Sequence, residues 1–537
     1  MAGRFLQAAA GGQPRDDLSA FTARAVAWTM RQARRQTGLT LGDTMFSKRA
    51  LIAAAALAAF AASAPAFSQP AAGPVAKVRQ GEVRGIGEAG VTRFLGIPFA
   101  APPVDALRWR PPTRAAAWTG TRDGSKAGND CTKVEDCLYL NVTRPADAKP
   151  GAKLPVMVWI HGGAYVLGSS ERGFGAEHDG AEFARKGVVT VTFNYRLGRA
   201  GWFAHPALTK EGPTGNYGMM DQIAALQWVR DNIAAFGGDP RNVTIFGESA
   251  GGISVLYLML SPDAKGLFHK AISQSGFARH QPTPLKVAEA GGLKVAASAG
   301  IEGEGPQAAA ALRWLPLSAI PVTGPITGPG RPGPILDGKL IAQPIAEGFA
   351  AGRQARIPLV IGGNSNEASL FRPQPAQLDA ITEGRDALMA AYDPTGAGNK
   401  TQIINDLATA QYITEPDRNL ARIHARAGQP TWLYYFSYVP ADKRATALGA
   451  RHTDEIRYVF GGPLQKFGPG DEAISRSVNA YWAAFARSGD PGAAGGVAWP
   501  RYAQPREPSI EFGADGVEVR DRHLAQRLDW VEQSLKK

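Results

Sequence analysis

The pentapeptide Gly247-Glu248-Ser249-Ala250-Gly251 sets a serine two residues from a glycine on either side. A β-branched run, residues 243–246, leads into it, and an apolar segment, residues 253–260, leaves it. The pattern therefore reads as a sharp corner between a strand and a buried helix. A serine on such a corner takes up a strained backbone conformation, and its glycine neighbours must lack a Cβ for strand and helix to pass closely. The hydroxyl is then presented at the carboxyl edge of a sheet. The Ala250 N–H, at the positive end of the helix, is placed to donate to an oxyanion forming there. The chemistry this suits is acyl transfer through a covalent serine adduct. In a chain with 63 glycines the same spacing also arises as an ordinary turn, so its partners have to decide.

A serine nucleophile on this kind of corner is followed along the chain by an acid and then a histidine. Of eight histidines, His161, His178 and His205 precede Ser249, while His269 and His280 follow too early to lie after the acid. His424 comes before the aromatic segment 432–438, the last strand expected. His452 lies in the loop after that segment, next to the apolar Tyr458-Val459-Phe460, whereas His523 falls in a charged stretch that reads as a solvated C-terminal helix. Chain position favours His452 as the base. Two acids compete. Glu367 follows the apolar run 357–361 in a turn-rich loop, and Asp337, in Ile335-Leu336-Asp337-Gly338-Lys339, fits a hairpin turn better. The residues favour Glu367 and leave Asp337 open. Glu248 adjoins the nucleophile but is expected to point away from His452 as a structural charge. Gly162 and Gly163, directly after the apolar run 154–160, can turn their N–H groups toward a substrate carbonyl; a plain Gly-Gly turn is the alternative.

These residues need a scaffold that brings strand ends together. Residues 154–160 are apolar throughout, as in a strand buried on both faces of a parallel sheet. Residues 138–142, 188–194, 270–276 and 357–364 supply further strands, and residues 219–236 read as an amphipathic helix stopped by Gly237-Gly238-Asp239-Pro240. Strand and helix alternate, which predicts an α/β doubly wound, mostly parallel sheet with helices on both faces. Residues 281–356 break the rhythm with a helix over 285–299 and a Pro/Gly-dense loop over 321–334, an insertion placed where lids and specificity elements sit. A mostly helical region follows over 378–427. No internal repeat is visible, so one large domain with insertions is expected.

The N-terminus carries a different message. Met45-Phe46-Ser47-Lys48-Arg49 is a basic start, residues 50–62 are apolar, and Ala66-Phe67-Ser68 is a small-residue cleavage site: together a secretory signal over 45–68. The apolar run is too short for a membrane span. Residues 1–44, ahead of a second plausible start at Met45, are expected to be a non-native or disordered leader, leaving 69–537 as the working domain. The full chain carries a formal charge of +12. Its positive residues are scattered, without a basic run or an aromatic-interleaved stripe, which argues against a nucleic-acid partner. Cys131 and Cys137 are the only cysteines; in an exported chain so close a pair forms a small-loop disulfide rather than a metal site.

Taken together, several blocks resemble the type B carboxylesterase family, the cholinesterase-like branch of the α/β-hydrolases. They include Glu135-Asp136-Cys137-Leu138-Tyr139-Leu140-Asn141-Val142, Asn194-Tyr195-Arg196-Leu197-Gly198, Gly215-Asn216-Tyr217-Gly218, Phe236-Gly237-Gly238-Asp239-Pro240, Gly247 to Gly252 and Gly489-Asp490-Pro491. The resemblance spans about residues 75–530. It implies an α/β-hydrolase fold and serine carboxylic ester hydrolysis with no metal or organic cofactor, acting on a small-molecule ester and without an integral membrane segment in the mature chain. It implies Ser249 as nucleophile, Glu367 as acid and His452 as base. Gly162, Gly163 and Ala250 become the oxyanion donors, Ser254 a buried serine near the acid, and Cys131–Cys137 a disulfide. Departures from the family pattern are Ala368 after the acid, Ala164 in the oxyanion loop and a short cysteine loop without tryptophan; the last speaks against a choline ester specialist. Competing expectations are an esterase for a bulky multi-ester, a lipase or amidase, and a non-catalytic binding protein of the same fold.

Overall fold

The computed structural model describes residues 73–173, 175–316, 319 and 331–536. The expected leader over 1–44, the export signal over 45–68 and most of the Pro/Gly-dense loop lie outside the described residues. Among the described residues eleven strands form the central sheet: β1 (Ile86–Glu88), β2 (Val91–Pro98), β3 (Tyr139–Pro145), β4 (Leu154–Ile160), β5 (Val189–Phe193), β6 (Gly238–Glu248), β7 (Lys270–Gln274), β8 (Leu359–Asn364), β9 (Thr431–Phe436), β10 (Pro508–Gly513) and β11 (Gly516–Asp521). Their spatial order is β11-β10-β9-β8-β7-β6-β4-β5-β3-β2-β1. The strands from β10 across to β5 run parallel, and β3, β2, β1 and β11 add antiparallel edges.

Parallel strands buried on both faces need apolar residues at every position, and alternate side chains then feed two separate cores. Strand β4 does this: Val156, Val158 and Ile160 enter one core, Met157 and Trp159 the other. Helices α1 (Tyr217–Asn232) and α2 (Ala250–Leu260) cover the first, through residues such as Leu226, Val229, Val255 and Leu256. A later helix, Asp471–Ser488, covers the second with Val478, Tyr481, Trp482 and Phe485. The helix expected over 219–236 begins at Tyr217 and closes with a 3₁₀ turn, Ile233–Phe236, before Gly237 at φ 88°. Within the insertion, Leu285–Ser298 is helical as expected. Arg196, from the Asn-Tyr-Arg block, makes a fully buried ion pair with Asp221 of α1 at 2.7 Å, which pins the loop after β5 to the helix.

The C-terminal region departs from expectation. The charged helix expected from Arg520 onward starts later: Arg520 and Asp521 end edge strand β11, antiparallel to β10. Val517 and Val519 alternate with polar residues, and the charged side chains Glu518, Arg520 and Asp521 guard the exposed edge. His523 follows this strand, with its ring 4.8 Å from that of Tyr435, and the helix begins only at Ala525. The Cys131–Cys137 disulfide is formed. No helix among the described residues is long and apolar enough to cross a membrane.

Candidate active site

Strand β6 ends at Glu248 and α2 starts at Ala250, with Ser249 between them at φ 56°, ψ −120°. A non-glycine residue held there costs on the order of 1–3 kcal/mol, and the surroundings enforce it. A Cβ on Gly247 would stand 2.6 Å from the Ile160 carbonyl oxygen, and one on Gly251 only 1.9 Å from the same atom. The Ser249 N–H donates to Gln274 O at 2.9 Å, fastening the corner to β7, and Ile253 N–H donates to Ser249 O at 2.8 Å as the helix begins.

The two glycines after β4 reach this corner. A Cβ on Gly162 would lie 3.3 Å from Ser249 Cβ and 2.7 Å from the Glu248 carbonyl, so only glycine lets the loop lie against the serine. Gly163 sits at φ 110°. Among the described residues neither glycine N–H has a hydrogen-bond acceptor, and Ala250 occupies the first turn of α2, where N–H groups have no intrahelical partner. The loop is held from behind by Tyr195, whose hydroxyl donates to His161 O at 2.8 Å while the two rings stack at 4.4 Å.

His452 Nδ1 lies 2.5 Å from Glu367 Oε2. A carboxylate oxygen accepts, so Nδ1 carries the proton in this contact. Glu367 Oε1 accepts from Ser275 Oγ at 2.5 Å and from the Asn364 N–H at 2.6 Å. Gly363 leaves the room for it: a Cβ there would be 2.8 Å from Glu367 Oε1. The two loops are cross-tied. Asn366 N–H donates to Ala450 O at 2.7 Å, His452 N–H to Ser369 Oγ at 3.0 Å, and Asn364 Nδ2 to Arg451 O at 2.8 Å. Asp337, the competing acid, instead accepts from Asn216 Nδ2 and the Lys339 and Ile341 N–H groups, stabilising its own turn.

Two expectations need correction. Glu248 does not point away: its Oε1 is 3.2 Å from His452 Nε2, and its side chain is fully buried. Alternation along a strand places neighbours on opposite faces, but the chain leaves the extended conformation at Ser249, φ 56°, and Glu248 lies against the histidine. Ser254 does not meet the acid either. Its Oγ accepts from Gln222 Nε2 at 3.1 Å and lies 3.4 Å from Tyr165 Oη. Five residues along a helix turn a side chain by about 140°, away from the sheet edge; the serine on Glu367 is Ser275. A further acid absent from the sequence reading, Glu455, accepts from Gln274 Nε2 at 3.0 Å and Asn364 Nδ2 at 2.5 Å.

Burial dominates the electrostatics. It pushes the Glu248 carboxyl well above the usual carboxylate range, the His452 charge opposing and Glu455 and Glu367 adding to the rise. Burial likewise raises Glu455 to about 7, with Glu367 adding and the Asn364 and Gln274 hydrogen bonds opposing. Burial alone would depress His452, but Glu248 and Glu367 outweigh it and hold the imidazolium form above its ordinary range. One side of the histidine is walled by aromatic rings: Phe277 meets it edge-on at 6.0 Å, Phe371 packs on Phe277, and Tyr412 lies 4.4 Å from Phe371.

A serine on a strand-to-helix corner at the carboxyl edge of a mostly parallel sheet, with carboxylate and histidine on loops after later strands, defines an α/β-hydrolase. Comparison with known proteins narrows the class. The model of the carboxylesterase family matches residues 72–531. The chain is 38% identical over 479 residues to the fumonisin B1 esterase of Sphingopyxis macrogoltabida, covering 82% of this chain and 86% of the relative. It is 34% identical over 569 residues to liver carboxylesterase 1 of Oryctolagus cuniculus, covering 90% and 98%. The solved carboxylesterase EST55 of Geobacillus stearothermophilus superposes with a TM-score of 0.72 at 33% identity, over 84% of this chain and 98% of that one. The chain belongs to the carboxylesterase family and is a carboxylic ester hydrolase.

Proposed function

We propose that ester hydrolysis here runs through Ser249, His452 and Glu367, a reading carried by the Glu367–His452 contact on loops that also bracket the Ser249 corner. His452 takes the serine proton as Oγ attacks the ester carbonyl, and the N–H groups of Gly162, Gly163 and Ala250 stabilise the tetrahedral oxyanion. Glu367 orients the imidazole and stabilises its charged form. His452 then protonates the leaving alcohol, and water releases the acyl group by the same route in reverse. Ser249→Ala is expected to lower kcat by about 10⁶-fold and to abolish covalent labelling by an alkyl phosphonate. A loss below tenfold on nitrophenyl esters would refute the assignment. Glu367→Gln is expected to cost roughly 10⁴, and Asp337→Asn far less.

Small to medium carboxylic esters are the first substrates to try. A bulky multi-ester is the second reading, and the 38% identity to a fumonisin B1 esterase makes fumonisin B1 a further substrate to try. We also propose that residues 45–68 direct export, that 1–44 are not part of the working protein, and that 69–537 function as one domain. The Cys131–Cys137 disulfide supports an oxidising compartment.

A further inference from the structure

The region beside the oxyanion loop holds a cation that the reaction above does not use. Arg331 is exposed, and its Nη2 lies 2.9 Å from His280 Nε2. The His280 Nδ1 in turn lies 3.0 Å from Tyr257 Oη. A guanidinium can only donate, so Nε2 must be the acceptor and Nδ1 must carry the proton, donated to the tyrosine. Burial, with Arg331 adding, pushes His280 down to about 3, which keeps it a neutral acceptor. A neutral anchor fixes the arginine without cancelling its charge. At the residue immediately before His280, the opposite arrangement occurs: Arg279 is paired with the Glu415 carboxylate through Nε at 3.0 Å and Nη2 at 2.7 Å. Among the described residues no carboxylate approaches Arg331 within ion-pair distance.

The chain around Arg331 is fixed relative to the site. Asn216 holds Ile335 through both backbone groups, at 2.9 and 2.8 Å. Residues 335–336 also pair with Thr283–Pro284 as a short parallel ladder. Gly333 lies against Tyr165, where a Cβ would come 3.3 Å from the ring. Tyr165 is two residues beyond Gly163, and its hydroxyl meets Ser254 on α2. Ser254 and Tyr257 follow Ser249 by five and eight residues, so at 1.5 Å rise per residue their backbones lie on the order of 8 and 12 Å along α2 from the nucleophile. That distance suits a charged group on the far end of a medium-length substrate.

We propose that Arg331, held by His280 and Tyr257, is an anion-recognising residue of the substrate pocket, and that the preferred substrates are esters carrying a second, free carboxylate. The proposal rests on the serine esterase reading above and narrows its substrate class. A bidentate guanidinium–carboxylate contact at a partly exposed site is expected to favour the acid substrate roughly tenfold.

The test compares kcat/KM for the monomethyl esters of succinate, glutarate and adipate with their neutral terminal-amide analogues, using enzyme whose active sites are titrated with an alkyl phosphonate. The wild type is expected to prefer the acid by about tenfold or more at glutarate or adipate. That preference is expected to fall toward one in Arg331→Gln, to recover in part in Arg331→Lys, and to shrink in high salt. Moving the carboxylate to the alcohol half of the ester shows which side of the scissile bond Arg331 serves. A wild-type acid-to-amide ratio near one, or a preference that survives Arg331→Gln, would overturn the proposal. Absence of phosphonate labelling at Ser249 would instead overturn the esterase reading beneath it.

Discussion

Glu248 offers a direct test of the electrostatics, because it faces the histidine nitrogen that exchanges a proton with the serine in the proposed mechanism. Its Oε1 is 3.2 Å from His452 Nε2. Two unit charges at that distance in an effective dielectric of about 20 attract by roughly 5 kcal/mol. This is a ceiling, since burial opposes ionisation of Glu248 itself, and what remains of the attraction raises His452. The sign follows from the histidine acting as a base. Glu248 raises the pKa of His452, and activity is lost as pH falls through that pKa. Replacing the acid by its neutral isostere in Glu248→Gln lowers the pKa, so the acid limb of kcat/KM moves to lower pH. The same substitution removes an anion that stabilises the imidazolium in the transition state, so the plateau falls, by about tenfold for each 1.4 kcal/mol lost. The assay is a pH–rate profile of both proteins on a neutral ester whose own chemistry does not titrate. An acid limb that stays in place, or moves upward, would refute the claim that Glu248 acts electrostatically on His452.

Two further perturbations probe the support of the site. Ser275→Ala removes one hydrogen bond to the Glu367 carboxylate, and with about 1.5–3 kcal/mol attached to a bond of this kind kcat is expected to fall by between ten- and hundredfold; an unchanged rate would remove Ser275 from the support of the acid. The Cys131–Cys137 bridge closes a short loop, with a sequence separation of 6, for which chain entropy gives roughly 2 kcal/mol; Cys131→Ala with Cys137→Ala is expected to lower the urea midpoint accordingly, and an unchanged midpoint would refute that contribution.

What could be read in advance, and what could not, follows from the range over which each signal acts. The corner at Ser249 is legible because its requirement is local: with Cβ positions as close as 1.9 Å to the Ile160 carbonyl, Gly251 has no substitute, and the backbone chemistry is written into five consecutive residues. The alternation of strand and helix is legible for the same reason, and so is the double-sided burial of β4. Orientation across elements is less accessible. Glu248 is misread because strand alternation holds only until the backbone leaves the extended region, and it leaves it at the next residue, at φ 56°. Arg520 and Asp521, at the end of the edge strand, read as the start of a solvated helix because they are charged, whereas cross-strand pairing with β10 holds them extended. Ser275 had a usable signal: β7 and β8 are parallel neighbours with Gln274 opposite Gly362, so the residue after Gln274 must lie near the end of β8 and the loop that follows Asn364. In a parallel sheet, residues just past paired strand ends are brought together by register alone. Aligning those ends places Ser275 on Glu367 and leaves Ser254, a turn and a half down α2, to its contacts with Gln222 and Tyr165.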